Sequence, residues 1–132
     1  MIIEINKVKT FIPEFHGNKK LSSGDQIKVT YRAATIDIKE RLSALFDKRS
    51  KFDKDGKFVG VEILEKDITP SVFNELLKDI ENCSYKDSNT GEETAIKTAQ
   101  DLLAAPVEFD ALKKEIADVL QKEVYRKVEE KN

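Results

Sequence analysis

The sequence predicts an α+β fold in which N-terminal antiparallel β-strands are followed by a mainly helical body of about four helices. Apolar and polar residues alternate strictly over residues 26–32, which is typical of a strand with one solvated face. In the later segments apolar residues recur every three to four positions, which is typical of helices. We therefore expect residues 1–132 to form one domain, with a β-rich segment at 1–34, a mainly helical part at 35–128 and a frayed tail at 129–132.

β-Branched residues dominate the first eleven positions, and a strand is expected over Met1 to Phe11. Pro13 and the Gly17-Asn18 pair then interrupt regular structure. A second strand is expected from Gln26 to Arg32, because its apolar residues lie on one side and its polar residues on the other. The two strands are predicted to pair antiparallel.

The spacing changes at Thr35, where a helix is predicted that ends near Arg49. Either Thr35 or Asp37 can cap its N-terminus. A polar stretch with an Asp55-Gly56 turn follows, and a short strand is expected over residues 58–64.

Thr69-Pro70 predicts a second helix over residues 70–82, because threonine caps a helix and proline at its first position leaves no backbone donor unpaired. A polar connection over residues 82–93 follows, with Asn89-Thr90-Gly91 at its tip. It is interpreted as a small hairpin that returns through Ala95-Ile96.

Thr98 and Asp101 form a capping-box pattern that opens a short helix, which Pro106 ends. The last helix is predicted over residues 108–128, with charged residues covering one face. Its other face carries the apolar residues Leu112, Ile116, Val119, Leu120, Val124 and Val128.

Composition excludes several functional classes. The chain is 39% hydrophobic and 36% charged, which suits one core and a well-solvated surface. A single cysteine, Cys83, allows neither an internal disulfide nor a CxxC zinc site. No apolar run approaches the ~20 residues that cross a bilayer, and the N-terminus lacks a signal peptide's apolar block. We therefore expect a soluble cytoplasmic protein with no membrane partner.

Charge is unevenly distributed along the chain. The formal net charge of −2 argues against a nucleic-acid binder, because such proteins carry a basic excess. Residues 1–60 nevertheless carry a net +5 and residues 61–132 a net −7. Such a chain could self-associate head to tail or bind charged partners at its two ends. The favoured interpretation is that the halves pack together and the charges largely cancel.

Residues 51–62 resemble a calcium-binding EF-hand loop, but Lys51 occupies the position of the first carboxylate ligand. A polar turn is therefore the favoured interpretation.

His16 and Cys83 could form a base and a nucleophile, yet they lie far apart in the chain and neither has an activating signature. Glycine-rich phosphate loops are also missing. We therefore expect that the protein is not an enzyme, that it has no catalytic, metal-binding or nucleic-acid-binding residues, and that it binds no cofactor.

Apolar helix faces remain as the candidate functional surfaces. A helix over 108–128 is roughly 30 Å long and outruns a small core. Its end, with Val124, Tyr125 and Val128, is the candidate partner-binding surface. The alternative, that this face closes the domain, is somewhat favoured.

The order of segments along the chain forms a pattern of its own. Its parts are Phe11 to Leu21, Asp25 to Arg32, the helix from Thr35, Ile80 to Cys83, the Asn-Thr-Gly turn, Ile96, Thr98, Asp101 to Leu103, Leu112 and Glu115-Ile116. This order resembles the small tail assembly chaperones of long-tailed (siphovirus-type) bacteriophages or prophages. The resemblance is one of pattern, covers most of the chain and includes no catalytic or ligand-binding signature.

This resemblance implies a non-enzymatic assembly factor in the cytoplasm of the bacterial host, with an N-terminal β segment and a mostly helical body. Its implied partners are the tape-measure protein, whose apolar helices it keeps from aggregating, and the tail-tube protein, which it helps to recruit. The resemblance places no functional residue. Two alternatives stay open: a small structural subunit of the phage tail or head–tail junction, and an unrelated bacterial protein-binding adaptor.

Overall fold

The computed structural model describes residues 1–5, 7–43, 47–64 and 69–130, and for residues 43, 47–51, 60–64 and 125–130 it describes the backbone alone. Antiparallel strands near the N-terminus precede the helices, so the predicted α+β class is confirmed. In chain order the elements are β1 (Val8–Phe11), a 3-10 helix (Phe15–Lys20), β2 (Lys28–Arg32), α1 (Ile36–Ser43), β3 (Asp47–Phe52), β4 (Phe58–Leu64), α2 (Thr69–Leu76), β5 (Leu77–Glu81), β6 (Ser84–Lys86), β7 (Glu93–Ala95), α3 (Ala99–Leu103), a second 3-10 helix (Val107–Phe109) and α4 (Asp110–Glu130).

Strand β2 is the centre of an antiparallel sheet with the order β1-β2-β5. Lys9 of β1 pairs with Tyr31 of β2, and Val29 of β2 pairs with Ile80 of β5. Val29 and Tyr31 are buried, and the residues between and beside them are partly exposed. The predicted alternation of β2 and its antiparallel pairing with the first strand are thereby confirmed.

The first strand is shorter than predicted. It begins at Val8, and residues 1–5 have no regular structure and are exposed. Beyond Arg32, which pairs with Val8, the Ala33 amide donates to the Lys7 carbonyl and the chain leaves the sheet. β2 therefore offers no backbone for earlier residues to pair with.

The helix predicted from Thr35 to near Arg49 is correct only in its first half. Thr35 caps α1, since its hydroxyl accepts a hydrogen bond from the Ile38 amide at 3.3 Å. However, α1 ends at Ser43 and the chain is already in β3 at Asp47. β3 pairs antiparallel with β4, the strand predicted at residues 58–64, through a turn in which Gly56 has φ +79°. Cross-strand pairing, which sequence spacing does not reveal, replaces the last helical turn here.

The helix predicted over residues 70–82 is also too long. α2 ends at Leu76, and Leu77 begins β5 with no residue between them. Helical spacing and strand pairing would both bury Leu77 and Ile80, so the apolar pattern cannot distinguish them. Hydrogen bonding to the open edge of β2 decides in favour of the strand.

The core lies between this sheet and the helices α1, α2 and α4. Phe73 and Leu76 of α2 are fully buried, as are Leu112, Ile116 and Leu120 on one face of α4. The predicted C-terminal helix is therefore confirmed, and four of its residues, spaced four apart from Leu112 to Val124, face the core. Within the described ranges, no helix is long and apolar enough to span a bilayer.

Two local predictions in the second half of the chain are confirmed. β6 and β7 form the expected small hairpin, with Gly91 at φ +76° in its turn. At α3, the Thr98 hydroxyl accepts from the Asp101 amide, and the Asp101 carboxylate accepts from the Thr98 amide, each at 3.1 Å. The same carboxylate also accepts from the Lys97 amide at 3.1 Å.

Asn18 ties the loop after β1 to the start of β2. It is 2% exposed, and it is the one buried polar residue among those that the structure describes. Its Nδ2 donates to the carbonyls of Pro13 (2.9 Å) and Ile27 (3.0 Å), and its Oδ1 accepts from the Ile27 amide (2.6 Å). This one amide group thus satisfies three backbone groups that no strand or helix pairs.

Replacing Asn18 by alanine is expected to lower the free energy of unfolding by about 3 kcal/mol, because it leaves buried backbone groups without partners. Urea denaturation followed by circular dichroism measures the change. Asn89→Ala, in the exposed β6–β7 turn, is the control and should change stability by less than about 0.5 kcal/mol. Equal effects of the two substitutions would contradict the structural role of Asn18.

The capping box predicts a pH dependence of stability. The backbone amides of Lys97 and Thr98, followed by the Thr98 hydroxyl, hold the pKa of Asp101 below its ordinary value. A lowered folded-state pKa gives stability that is present above the unfolded pKa, near 3.9, and lost as pH falls through the folded pKa. Asp101→Asn should therefore be less stable than wild type at pH 7, with the difference shrinking below about pH 4. Urea titrations across this range provide the measurement, and a constant difference would contradict the assignment.

Candidate functional site

Two adjoining cavities meet at the bend between β5 and β6, one facing the two 3-10 helices and the other facing the β6–β7 hairpin. The smaller has a volume of about 300 Å³ and is called the aromatic pocket; the larger, of about 620 Å³, is called the acidic groove. Both are lined by Asp25, Asn82, Cys83 and Ser84, so they form one continuous surface.

The aromatic pocket takes its rings from segments that are distant in sequence. Phe15 and His16 come from the first 3-10 helix and Phe109 from the second. The ring centroids of Phe15 and Phe109 lie 5.7 Å apart, and those of Phe15 and His16 lie 4.1 Å apart. Tyr85 of β6 packs behind Phe109 at 5.7 Å. This cluster gives the pocket a wall of π-systems that the sequence analysis did not anticipate.

The position of His16 depends on an unusual backbone conformation. His16 has φ 49° and ψ 40°, and Gly17 follows at φ 70°. Two consecutive left-handed residues turn the chain sharply within the 3-10 segment. For a histidine this conformation costs about 1 kcal/mol, so the surrounding structure must hold it.

Asn82 closes the other side of the pocket. It has φ 58°, which bends the chain between β5 and β6. Its Nδ2 donates to the carbonyls of Gly24 and Gln26, both at 2.9 Å. These bonds hold the loop that carries Asp25 against the bend. Asparagine suits this position for two reasons. It tolerates the left-handed conformation, and its short amide side chain can reach the backbone carbonyls of the neighbouring loop.

Cys83 borders both cavities and is 6% exposed. Burial raises the pKa of its thiol, so the side chain stays protonated at neutral pH and is a poor nucleophile. The fold does bring His16 and Cys83 to the lining of one pocket, which their sequence separation gave no reason to expect. Within the described residues, no hydrogen bond joins the two side chains.

The acidic groove carries an excess of negative charge. Asp79, Glu81 and Glu93 line it together with Asp25, and Lys97 is the lysine of the lining. Glu93 accepts a hydrogen bond from the Ser84 hydroxyl at 3.1 Å, whereas Asp79 and Glu81 have no partner among the described residues. In the part of the chain that the structure describes, no three His, Cys, Asp or Glu side chains are placed to hold a metal ion. The groove therefore presents a mainly negative surface.

The EF-hand-like segment forms the turn between β3 and β4. The Asp53 carboxylate accepts hydrogen bonds from the amides of Asp55 and Lys57, each at 2.9 Å. Its oxygen thus stabilises the backbone of the turn, as the favoured interpretation of this segment required.

The candidate partner-binding residues at the end of α4 are described only in part. Val124 is 3% exposed and belongs to the core. The side chains of Tyr125 and Val128 lie outside the described set, so partner binding by this end of the helix stays a prediction. Glu123, the residue before Val124, forms an ion pair with Lys9 of β1 at 2.7 Å and ties α4 to the sheet edge.

Comparison with known proteins adds no relationship to this geometry. No family model matches the chain, and no curated protein or solved structure is significantly similar to it.

Proposed function

We propose that the chain is a non-enzymatic phage tail assembly chaperone, which binds the tape-measure protein and helps to recruit tail-tube subunits in the cytoplasm of the bacterial host. The order of its segments resembles that family. The observation that carries the proposal is a pair of exposed phenylalanine rings, Phe52 and Phe58, on the β3–β4 hairpin, which suits binding to the apolar helices of another protein.

The β3–β4 hairpin supports this proposal through its surface. Phe52 and Phe58 are 63% and 61% exposed, and their ring centroids lie 6.1 Å apart in an edge-to-face arrangement. Val59 beside them is equally exposed. Within the described residues, β3 and β4 pair only with each other. An isolated two-stranded hairpin is marginally stable in water, so coverage by a partner would stabilise it.

The N-terminal residues offer a second exposed apolar segment. Ile2, Ile3 and Ile5 are each more than three-quarters exposed, and Val8 continues the series into β1. β-Branched residues favour strand pairing, so this segment, which has no regular structure of its own, is suited to pairing along a partner chain. On the hairpin, Lys54 and Lys57 lie in the turn between Phe52 and Phe58. Both are exposed and form no ion pair in the described structure.

Co-expression tests this function. The partner to co-express is a tape-measure protein, sought as the product of a very long helical reading frame immediately downstream of the chain's gene. The readout is the amount of partner that is soluble and co-purifies. The wild-type chain should keep the partner soluble, and Phe52→Ser/Phe58→Ser should weaken the complex by about thirtyfold, since each of the two rings loses about 1 kcal/mol of contact.

The matched control is Val107→Ser, which alters an apolar residue that is 71% exposed on another surface. It should leave recovery unchanged. Failure of the wild-type chain to solubilise the partner would contradict the proposal. Retention of the chain in purified particles would contradict it in favour of the structural-subunit alternative.

A further inference from the structure

The geometry points to a second binding site: the aromatic pocket binds the ammonium or guanidinium group of a lysine or arginine on an extended segment of a partner protein. This inference does not rest on the proposed tail-assembly function, because the pocket uses none of the residues of the β3–β4 hairpin.

The walls of the pocket fit both parts of such a side chain. Phe15 and Phe109 contribute phenyl rings, and the face of a phenyl ring attracts cations. Leu21 and Ile27 add aliphatic surface for the methylene stem. A volume of about 300 Å³ is enough for one long side chain and the backbone beside it.

The charges of the pocket select a cation over an anion. Asp25 and Glu108 are its carboxylates, and neither lysine nor arginine is found among the described lining residues. Glu108 has no hydrogen-bond or ion-pair partner in the described structure, and Asp25 accepts one bond, from the Ser22 hydroxyl at 2.8 Å. A bound ammonium group would therefore meet two carboxylates that the protein has left available.

The extent of the surface favours a protein segment over a small free cation. From Asp25 the aromatic pocket continues into the acidic groove, where Asp79 and Glu81 are unpaired among the described residues. A polypeptide with one cationic side chain in the aromatic pocket can place a second cationic side chain in the acidic groove. A single small amine would occupy only one of the two cavities. Charge complementarity along both cavities thus defines a basic, extended partner.

The positions of these groups are held before any ligand binds. Asn82 fixes the loop of Asp25, and the Asn18 side chain fixes the chain between Pro13 and Ile27. Both anchors are amide-to-backbone hydrogen bonds that need no rearrangement on binding. A preformed site of this kind avoids part of the entropy cost of association.

Fluorescence anisotropy with a labelled, end-capped peptide of alternating lysine and serine tests the site. At low salt the wild-type chain should bind it, and Phe109→Leu and Asp25→Asn/Glu108→Gln should each weaken binding by about tenfold or more. The matched controls are Phe58→Leu and Glu40→Gln/Asp55→Asn, which remove an exposed ring and the same two charges elsewhere. They should bind as wild type does.

Three results would overturn the inference: no binding by the folded wild-type chain, equal losses in the test and control pairs, or binding of free spermidine with no binding of the peptide. Because Phe109 is partly buried, thermal unfolding is measured for every variant, and the exposed Glu108→Gln alone provides a substitution that should not affect folding. Loss of peptide binding with retained co-purification of the tape-measure protein would leave the proposed function standing and identify this site as separate.

Discussion

The three hydrogen bonds of the Asn18 side chain are the constraint on which the N-terminal half depends. They join the carbonyl of Pro13, at the end of the first strand's exit loop, to both backbone groups of Ile27, just before β2. Other backbone groups of the loop pair within it, such as the Gly17 amide with the Glu14 carbonyl, but the described hydrogen bonds of the Pro13 carbonyl and of Ile27 go to Asn18. Without the amide these groups would be left unsatisfied. The same bonds set where Phe15 and His16 lie, and hence where the aromatic pocket forms.

The elements that local chemistry specifies are the ones that sequence predicted well. The capping box at Thr98 and Asp101, the Asp55-Gly56 turn and the alternation of β2 each depend on residues close together in the chain. β3 and β5 were missed because both are defined by a partner strand. For Leu77 and Ile80, a helix and a strand bury the same side chains, and only the hydrogen-bonding edge of β2 favours the strand.

The candidate site was less predictable than the fold for a related reason. Phe15, Cys83 and Phe109 are ordinary core-type residues in sequence, and their convergence comes from tertiary packing. The sequence gives a partial indication of the two positive φ angles, at His16 and Asn82. Gly17 follows His16 directly, and asparagine tolerates a positive φ at position 82. The acidic excess of residues 61–132, in contrast, was visible in sequence, and the acidic groove is lined largely by residues of that half.

The direct junction of α2 and β5 makes this part of the chain intolerant of changes in length. Most helix-to-strand connections contain a loop that can accept an added or deleted residue. Here Leu76 ends one element and Leu77 begins the next, and the pairing of Leu77 and Asp79 with β2 already contains a register shift, so no loop residue is free to take up an insertion. It would shift the residues of β5 by one position against β2 and put charged Asp79 in the place of buried Ile80. Natural variation in length should therefore be confined to the turns, where the backbone is exposed and no register is at stake.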